Sequence, residues 1–268
     1  MAGGRVVLIT GASSGFGKAT ASSLALRGFR VFGTSRKASG EKQDGVEMLR
    51  LDITSDESVR ACMSSLLTKT GQIDVLVNNA GQALVGGLEE TSVEEAKAHF
   101  DTSFFGTVRM VSAVLPDMRK RRSGQIINVA SLAGTFPVPF EGYYGAAKAA
   151  LMAYSEVLRQ ELKTLGINVS VVEPGFFRTN LGSTRVAAAK PISDYDEMRK
   201  RAHAALAESF NEGGDPQEVA DTIVKIIESS TPRLHYPVGK EKSYLFMKRI
   251  LPTSAMESQT RKHWRLDG

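Results

Sequence analysis

Three side chains near the middle of the chain have chemistry that could combine: Ser131, Tyr144 and Lys148. Tyr144 and Lys148 stand four positions apart in Gly142-Tyr143-Tyr144-Gly145-Ala146-Ala147-Lys148. A helix over this stretch puts both on one face. A phenol is a poor acid near neutrality, with an ordinary pKa of about 10. A neighbouring ammonium favours the phenolate, so the pair is expected to have a lowered phenol pKa and to exchange a proton with a substrate oxygen. Ser131 lies thirteen positions before Tyr144 and follows the apolar run 125–130. That run reads as a buried strand, which puts the hydroxyl at the strand's carboxyl end, where open α/β sheets bind their ligands. Tyr and Lys at helical spacing occur on many helices, so the weight of the pair depends on what surrounds it.

The positioning elements begin with Arg5-Val6-Val7-Leu8-Ile9-Thr10, apolar nearly throughout, as in a strand buried on both faces. Gly11-Ala12-Ser13-Ser14-Gly15-Phe16-Gly17 follows, then a helical pattern over 18–27. In the order strand, glycine-rich turn, helix, glycine lets the backbone approach a pyrophosphate, and the free N–H groups of the helix start bind it. A tight turn with no ligand would need the same glycines. A second strand over 28–34 ends at Ser35-Arg36-Lys37. An acid at that point would take a ribose 2′-hydroxyl; Arg36, with Lys37 beside it, instead suits a 2′-phosphate and points to NADP(H). A third strand, 46–51, ends in Asp52-Ile53-Thr54, where Asp52 either bonds an adenine or caps its own loop. A fourth, 73–77, closes with Asn78-Asn79-Ala80-Gly81, and at least one of these Asn is expected to be structural.

Two amphipathic helices are expected over 92–105 and 106–121, then the Ser131 strand. The loop 132–141 carries Phe136, Pro137, Val138, Pro139 and Phe140, an apolar lining between the two candidate residues. A helix from Tyr144 to about Leu165 leads to a strand over 168–172 and to Pro174-Gly175-Phe176-Phe177-Arg178-Thr179. Residues 180–214 interrupt the pattern and read as a helical lid beyond a strand's carboxyl end. Asp215-Pro216 opens another helix, and 234–238 is a short last strand. The basic tail 240–268 carries Leu245, Phe246, Ile250 and Trp264 and is expected to pack on the lid, with a subunit contact or a membrane surface as alternatives. Alternating strands and helices imply an α/β fold, a doubly wound parallel sheet of about seven strands with helices on both faces.

Composition narrows the function classes. With 42% hydrophobic and 24% charged residues among 268, the chain is an ordinary globular one, read as a single domain over 1–268. The net charge of +5 is scattered apart from Arg119-Lys120-Arg121-Arg122, at a helix end where cations suit the dipole, so no nucleic-acid partner is expected. The one cysteine, Cys62, excludes an intramolecular disulfide, and a reducing, cytoplasmic setting is expected. No run reaches the roughly 18 apolar residues of a membrane span. His99, His203, His235 and His263 are scattered, and no metal site is expected.

Together, Thr10-Gly11-x-x-x-Gly15-x-Gly17, Asn78-Asn79-Ala80-Gly81, Ser131, Tyr144-x-x-x-Lys148 and Pro174-Gly175 resemble the short-chain dehydrogenase/reductase family, in order and spacing, over residues 4–240. The branch with hydroxysteroid- and retinol-dehydrogenase-like enzymes looks most similar. The resemblance implies a Rossmann-like fold and hydride transfer between a nicotinamide and a carbonyl or alcohol carbon. In it, Tyr144 would be general acid or base, Lys148 would lower its pKa and hold the nicotinamide ribose, and Ser131 would bond the substrate oxygen. Gly11, Ser13, Ser14, Gly15, Phe16 and Gly17 would wrap the pyrophosphate, Asn79 the adenosine-side ribose, and Thr179 the carboxamide. Asp52, Ile53, Ala80, Gly81, Pro174, Gly175 and Phe177 complete the implied cofactor set. The expected substrate is a small-molecule ketone or secondary alcohol with a moderately large apolar body, steroid- or retinoid-like; a 3-oxoacyl thioester reductase or a weakly active nucleotide sensor are alternatives. A homodimer or homotetramer is implied by the family only. One position departs: where the family has an Asn that holds a relay water, three residues before a Gly, this chain has Ser103, a shorter group that still donates and accepts.

Overall fold

The structure is a computed structural model that describes residues 4–38, 40–179 and 185–267. Its first strand, β1 (Val6–Ile9), is buried at every position. Val6 and Leu8 face one hydrophobic layer and Val7 and Ile9 the other, the period-two alternation of a strand covered on both sides. The chain continues through α1 (Gly15–Leu26), β2 (Arg30–Ser35), β3 (Lys42–Gln43), β4 (Val46–Arg50), α2 (Asp56–Thr70), β5 (Val75–Asn78) and β6 (Leu84–Val85). It then forms α3 (Val93–Phe100), α4 (Gly106–Arg121), β7 (Gly124–Val129), α5 (Gly142–Leu162) and β8 (Ile167–Pro174). The last elements are β9 (Val186–Ala187), α6 (Asp196–Asn211), α7 (Pro216–Glu228), β10 (His235–Val238), α8 (Ser243–Ile250) and α9 (Thr253–His263).

The main sheet has eight strands in the order β10-β8-β7-β5-β1-β2-β4-β3. Every pairing in it is parallel except β3 with β4. From β1 the chain winds outward through β2 and β4, then returns to lay β5 on the opposite side of β1. The strand order therefore reverses at β1, and a crevice opens at the carboxyl ends there. Helices α2, α4 and α5 cover the face centred on Leu8, Leu76 and Ile126; α1 and α7 cover the face of Val7, Val75 and Ile127. Among the described residues no helix is long and apolar enough to cross a membrane, and no cluster of ligand residues could hold a metal ion.

Three details differ from the sequence reading. The eighth strand, β3, is two exposed residues paired antiparallel at the sheet edge, too short and polar to leave a pattern. The two helices expected over 92–121 are one rod, α3 and α4 joined by a π-helical turn, Asp101–Phe105. Such turns insert an extra residue into a helix and accompany functional sites. A small parallel pair, β6 with β9, lies outside the main sheet. Of the expected lid, residues 180–184 lie outside the described residues; the rest forms β9 and α6.

Candidate functional site

The crevice is framed first by the turn between β1 and α1. Gly11 and Gly15 take left-handed backbone angles, φ +67° and +53°, which glycine adopts without steric cost. Gly17 needs space: a Cβ there would lie 2.3 Å from Gly11 O and 2.5 Å from Asn79 Nδ2. The turn is thus folded tightly onto the helix start. Thr10 Oγ1 accepts from the N–H groups of Asn79 and Ala80, both at 3.0 Å. The Asn79 amide donates to Thr10 O and Gly11 O, also at 3.0 Å. Both amide hydrogens of Asn79 and its backbone N–H are committed to bracing the turn, which leaves its carbonyl oxygens for the expected ribose contact. At the start of α1, Ser14 makes no side-chain cap and the first turn holds no acid. Its backbone N–H groups are thereby left open, with the positive end of the dipole behind them. Phe16 packs edge-on against Phe177 at 5.5 Å, tying the turn to the end of β8.

Asn78 is structural. Its amide donates to Asn128 Oδ1 at 2.9 Å, and Asn128 donates to Ser155 Oγ at 2.8 Å. This buried chain joins β5, β7 and α5 and fixes the helix that carries Tyr144. Neither Asn128 nor Ser155 stands out in the sequence, because only the sheet brings them together. At the end of β2, Arg36 is exposed. Asp52 caps its own loop: Oδ1 accepts from Thr54 Oγ1 at 2.7 Å and Thr54 N at 2.9 Å. Those two bonds, helped by the charge of Arg36, hold its carboxyl below the usual range. Ile53 is buried, and its carbonyl accepts from Arg109 at 3.3 Å.

β7 delivers Ser131 where the sheet ends. Its Oγ accepts from Ala133 N at 3.1 Å and lies 3.3 Å from Pro174 O, and it is near enough to the Tyr144 phenol to favour its ionised form. Tyr144 stands in the first turn of α5, partly open to a cavity. One turn on, Lys148 is 6% exposed and donates from Nζ to Val129 O at 2.9 Å; Nζ is 5.8 Å from the Tyr144 ring centroid. Tyr144 and Lys148 share a helix face as their spacing predicts, but the phenol does not become more acidic. Burial pushes the phenol up to about 12, opposed by the nearby Ser131 hydroxyl and reinforced by the negative charge of Glu141. Burial also pushes Lys148 down to about 8. In so dry a site desolvation outweighs the attraction expected between the two groups, and the ammonium is turned toward Val129 O.

Ser103 sits in the π-helical turn, 1% exposed, with its hydroxyl 3.5 Å from Gln82 O, the outer limit of a hydrogen bond. One turn earlier is His99, 2% exposed, its ring centroid 6.1 Å from that of Tyr144. In sequence His99 is one of four scattered histidines, and its place four residues before Ser103 is the available signal.

Ser131 and Tyr144 open onto a cavity of about 460 Å³. Pro174, Gly175, Phe177 and Thr179 line it beside Phe16, and Phe136, Pro137 and Val138 form the expected apolar wall. Ala80 and Gly81 follow β5 at the crevice. The far wall comes from Phe210 of α6 and from Tyr244, Met256 and Trp264 of the tail. Trp264 is 5% exposed and packs with Val85, Ala205 and Leu206; its ring lies 6.0 Å from Phe176, which lies 5.1 Å from Phe210. The tail therefore packs on the α6 segment.

Comparison with known proteins points to the same family. The short chain dehydrogenase family profile matches residues 5–190. The chain is 39% identical to a 3-ketodihydrosphingosine reductase of Bacteroides thetaiotaomicron, over 94% of this chain and 95% of that protein. It is 40% identical to retinol dehydrogenase 8 of Bos taurus, over 86% of this chain and 80% of that protein. Among solved structures, a short-chain dehydrogenase from Streptomyces avermitilis is similar at a TM-score of 0.84 and 32% identity, covering 99% of this chain and 97% of that one. The closed form of a serine dehydrogenase complexed with NADP+ has a TM-score of 0.76 at 27% identity, covering 89% and 96%. Glycine turn, reversed sheet and Ser131–Tyr144–Lys148 edge thus occur in a chain similar to such oxidoreductases over nearly its whole length: it belongs to the short-chain dehydrogenase family, with retinol-dehydrogenase-like enzymes among its relatives.

Proposed function

We propose that this oxidoreductase transfers hydride between NADP(H) and the carbonyl or secondary alcohol carbon of a small molecule with an extended apolar body. The observation that carries the reading is that Ser131 and Tyr144 open together onto the apolar cavity. Two relatives named for 3-ketodihydrosphingosine and for retinol, both extended apolar compounds, support that substrate class.

The crevice fits a dinucleotide. An uncapped, acid-free helix start beneath left-handed glycines suits a pyrophosphate, and an end of β2 with Arg36 and no acid suits a 2′-phosphate. The NADP+-bound neighbour supports that choice. Bound there, the nicotinamide supplies or takes the hydride. Ser131 donates to the substrate oxygen, where negative charge develops as the carbonyl is reduced. Tyr144 gives that oxygen its proton. A phenol near 12 is fully protonated at neutral pH, as a general acid must be; in oxidation, with the alcohol as proton donor, it needs the nearby ammonium of Lys148 to stabilise the phenolate. Phe136, Phe210 and Trp264 exclude water and grip the apolar body, with α6 and the tail acting as a lid.

The test is NADPH and NADH oxidation by the purified protein with long-chain 3-ketones, steroid ketones, retinoids and acyl thioesters. The expected result is turnover of an apolar ketone with NADPH preferred. NADPH binding without turnover on any class would overturn the reading in favour of a nucleotide sensor.

A further inference from the structure

A buried carboxyl interrupts the apolar wall of the cavity. Glu141 is the N-cap residue of α5 and is 3% exposed, yet its side chain makes no cap hydrogen bond. It lines the cavity instead, three residues before Tyr144, and its charge acts on the phenol. Its ionic partner is Arg185, just before β9, whose Nη2 lies 3.8 Å from Glu141 Oε1. That is near enough to offset charge and too far for a hydrogen bond. The guanidinium lies 4.5 Å over the Phe210 ring, and its Nε and Nη2 have no hydrogen-bond partner. Arg185 therefore leaves the Glu141 oxygens open. Burial pushes this carboxyl up to about 7, with the Arg185 charge working against the rise. A buried carboxylate without hydrogen-bonded compensation is costly, and a ligand that brings a cation would supply it.

The rest of the lining has the same sign. Among the described residues, Glu141, Glu212 and Glu241 line the cavity against one ammonium, Lys240. Lys240 pairs with Glu212 at 4.0 Å, and Glu241 accepts from Phe176 N at 3.3 Å. His263, also in the lining, is held below the usual imidazole range, by burial first, and is neutral near pH 7. A neutral head group leaves the negative sign of this chamber unmatched; a protonated amine matches it. Resting on the reaction proposed above, we propose that Glu141 is a specificity-determining residue that binds a protonated amine on the substrate, close to the carbonyl or alcohol carbon, while the apolar body runs along Phe136, Phe210 and Trp264. Arg185, outside the lining, favours the ionised carboxyl that the amine requires. The preferred substrate is then an amphiphilic amino ketone or amino alcohol, and a steroid ketone has no group to offer Glu141.

Wild type tests this without any variant having to fold. Long-chain ketones with an amine beside the carbonyl are compared, with NADPH, against their N-acetyl forms and against unsubstituted ketones of equal length. We expect kcat/KM to be about tenfold or more higher for the free amine, the low end of what a hydrogen bond to a charged group contributes. Equal values overturn the proposal. Glu141→Gln keeps the shape and removes the charge; it should erase the preference and leave the unsubstituted ketone within about threefold. Equal loss on both ketones with a lower Tm would make Glu141 a structural tie to Arg185 and overturn the proposal. A second arm needs no turnover: calorimetry of the NADP+-loaded protein with octylamine and with octanol. Octylamine should bind more tightly, and Glu141→Gln should remove the difference. If no ketone is reduced, the reaction fails while this arm still decides whether the cavity takes an amine; equal binding of the two overturns the proposal.

Discussion

The two sides of the crevice are built by opposite means. On the dinucleotide side, backbone and short side chains make specific hydrogen bonds: Thr10 with Asn79 and Ala80, Asn79 with Thr10 and Gly11, Asn78 with Asn128 and Asn128 with Ser155. A methyl added at Gly17 has nowhere to go there. On the substrate side the wall is a cluster of rings and aliphatic groups from α6 and the residues after α9, with Trp264 at its centre, and α8 and α9 bury no residue fully along their lengths. Hydrogen bonds to a scaffold tolerate little change, whereas non-directional apolar contacts accept many side-chain sets of similar volume. Chemistry thus resides where sequence is restricted, and substrate choice where it is free to vary.

That contrast can be broken most sharply at its hinge. Tyr144→Phe should cut kcat by about 10²–10⁴, the usual contribution of general acid catalysis. NADPH affinity should stay within a few-fold, by steady-state kinetics beside fluorescence titration; retained turnover would remove Tyr144 from the chemistry. On the dinucleotide side, Gly17→Ala should force the turn apart, since its Cβ would lie 2.3 Å from Gly11 O. Overpacking of this kind costs about 1–3 kcal/mol, and we expect NADPH affinity to fall about tenfold or more with a lower Tm, by titration and calorimetry. Arg36→Ala should weaken NADPH about tenfold, the lower end of a charge-assisted hydrogen bond at an exposed site, and leave NADH nearly unchanged; wild type binding both equally would end the NADP(H) assignment. Smallest, Trp264→Ala should raise KM for the longest ketones about fivefold, on the order of 1 kcal/mol, while NADPH affinity stays unchanged. Equal losses for short and long ketones would mean that the tail supports the fold rather than the substrate.

Local patterns were legible and long-range ones were not. β1, its glycine turn and α1 are contiguous, and their hydrophobic and glycine spacing is a local consequence of strand and helix geometry. The shared face of Tyr144 and Lys148 is likewise helical periodicity. What spacing does not contain is the environment: the phenol rises to about 12 because of what packs round it, and a sequence shows the neighbouring charge but not the missing water. His99 looked like one of four unrelated histidines until α3 packed against α5. Asn128 and Ser155 meet only because β7 lies beside α5. β3 escapes for another reason: Lys42 and Gln43 are a strand solely through pairing with Glu47 and Val46.

The place of Trp264 has a consequence in time. Every strand of the main sheet precedes it in the chain, and domains fold as they emerge from the ribosome, amino end first. The parallel sheet and the turn over α1 can therefore assemble before the tail's part of the far wall, Tyr244, Met256 and Trp264, has left the ribosome. A newly made molecule would pass through a stage with its cofactor groove formed and its apolar chamber open to water. The bound dinucleotide would stabilise that stage by mass action, so cofactor supply would influence maturation before any substrate is met.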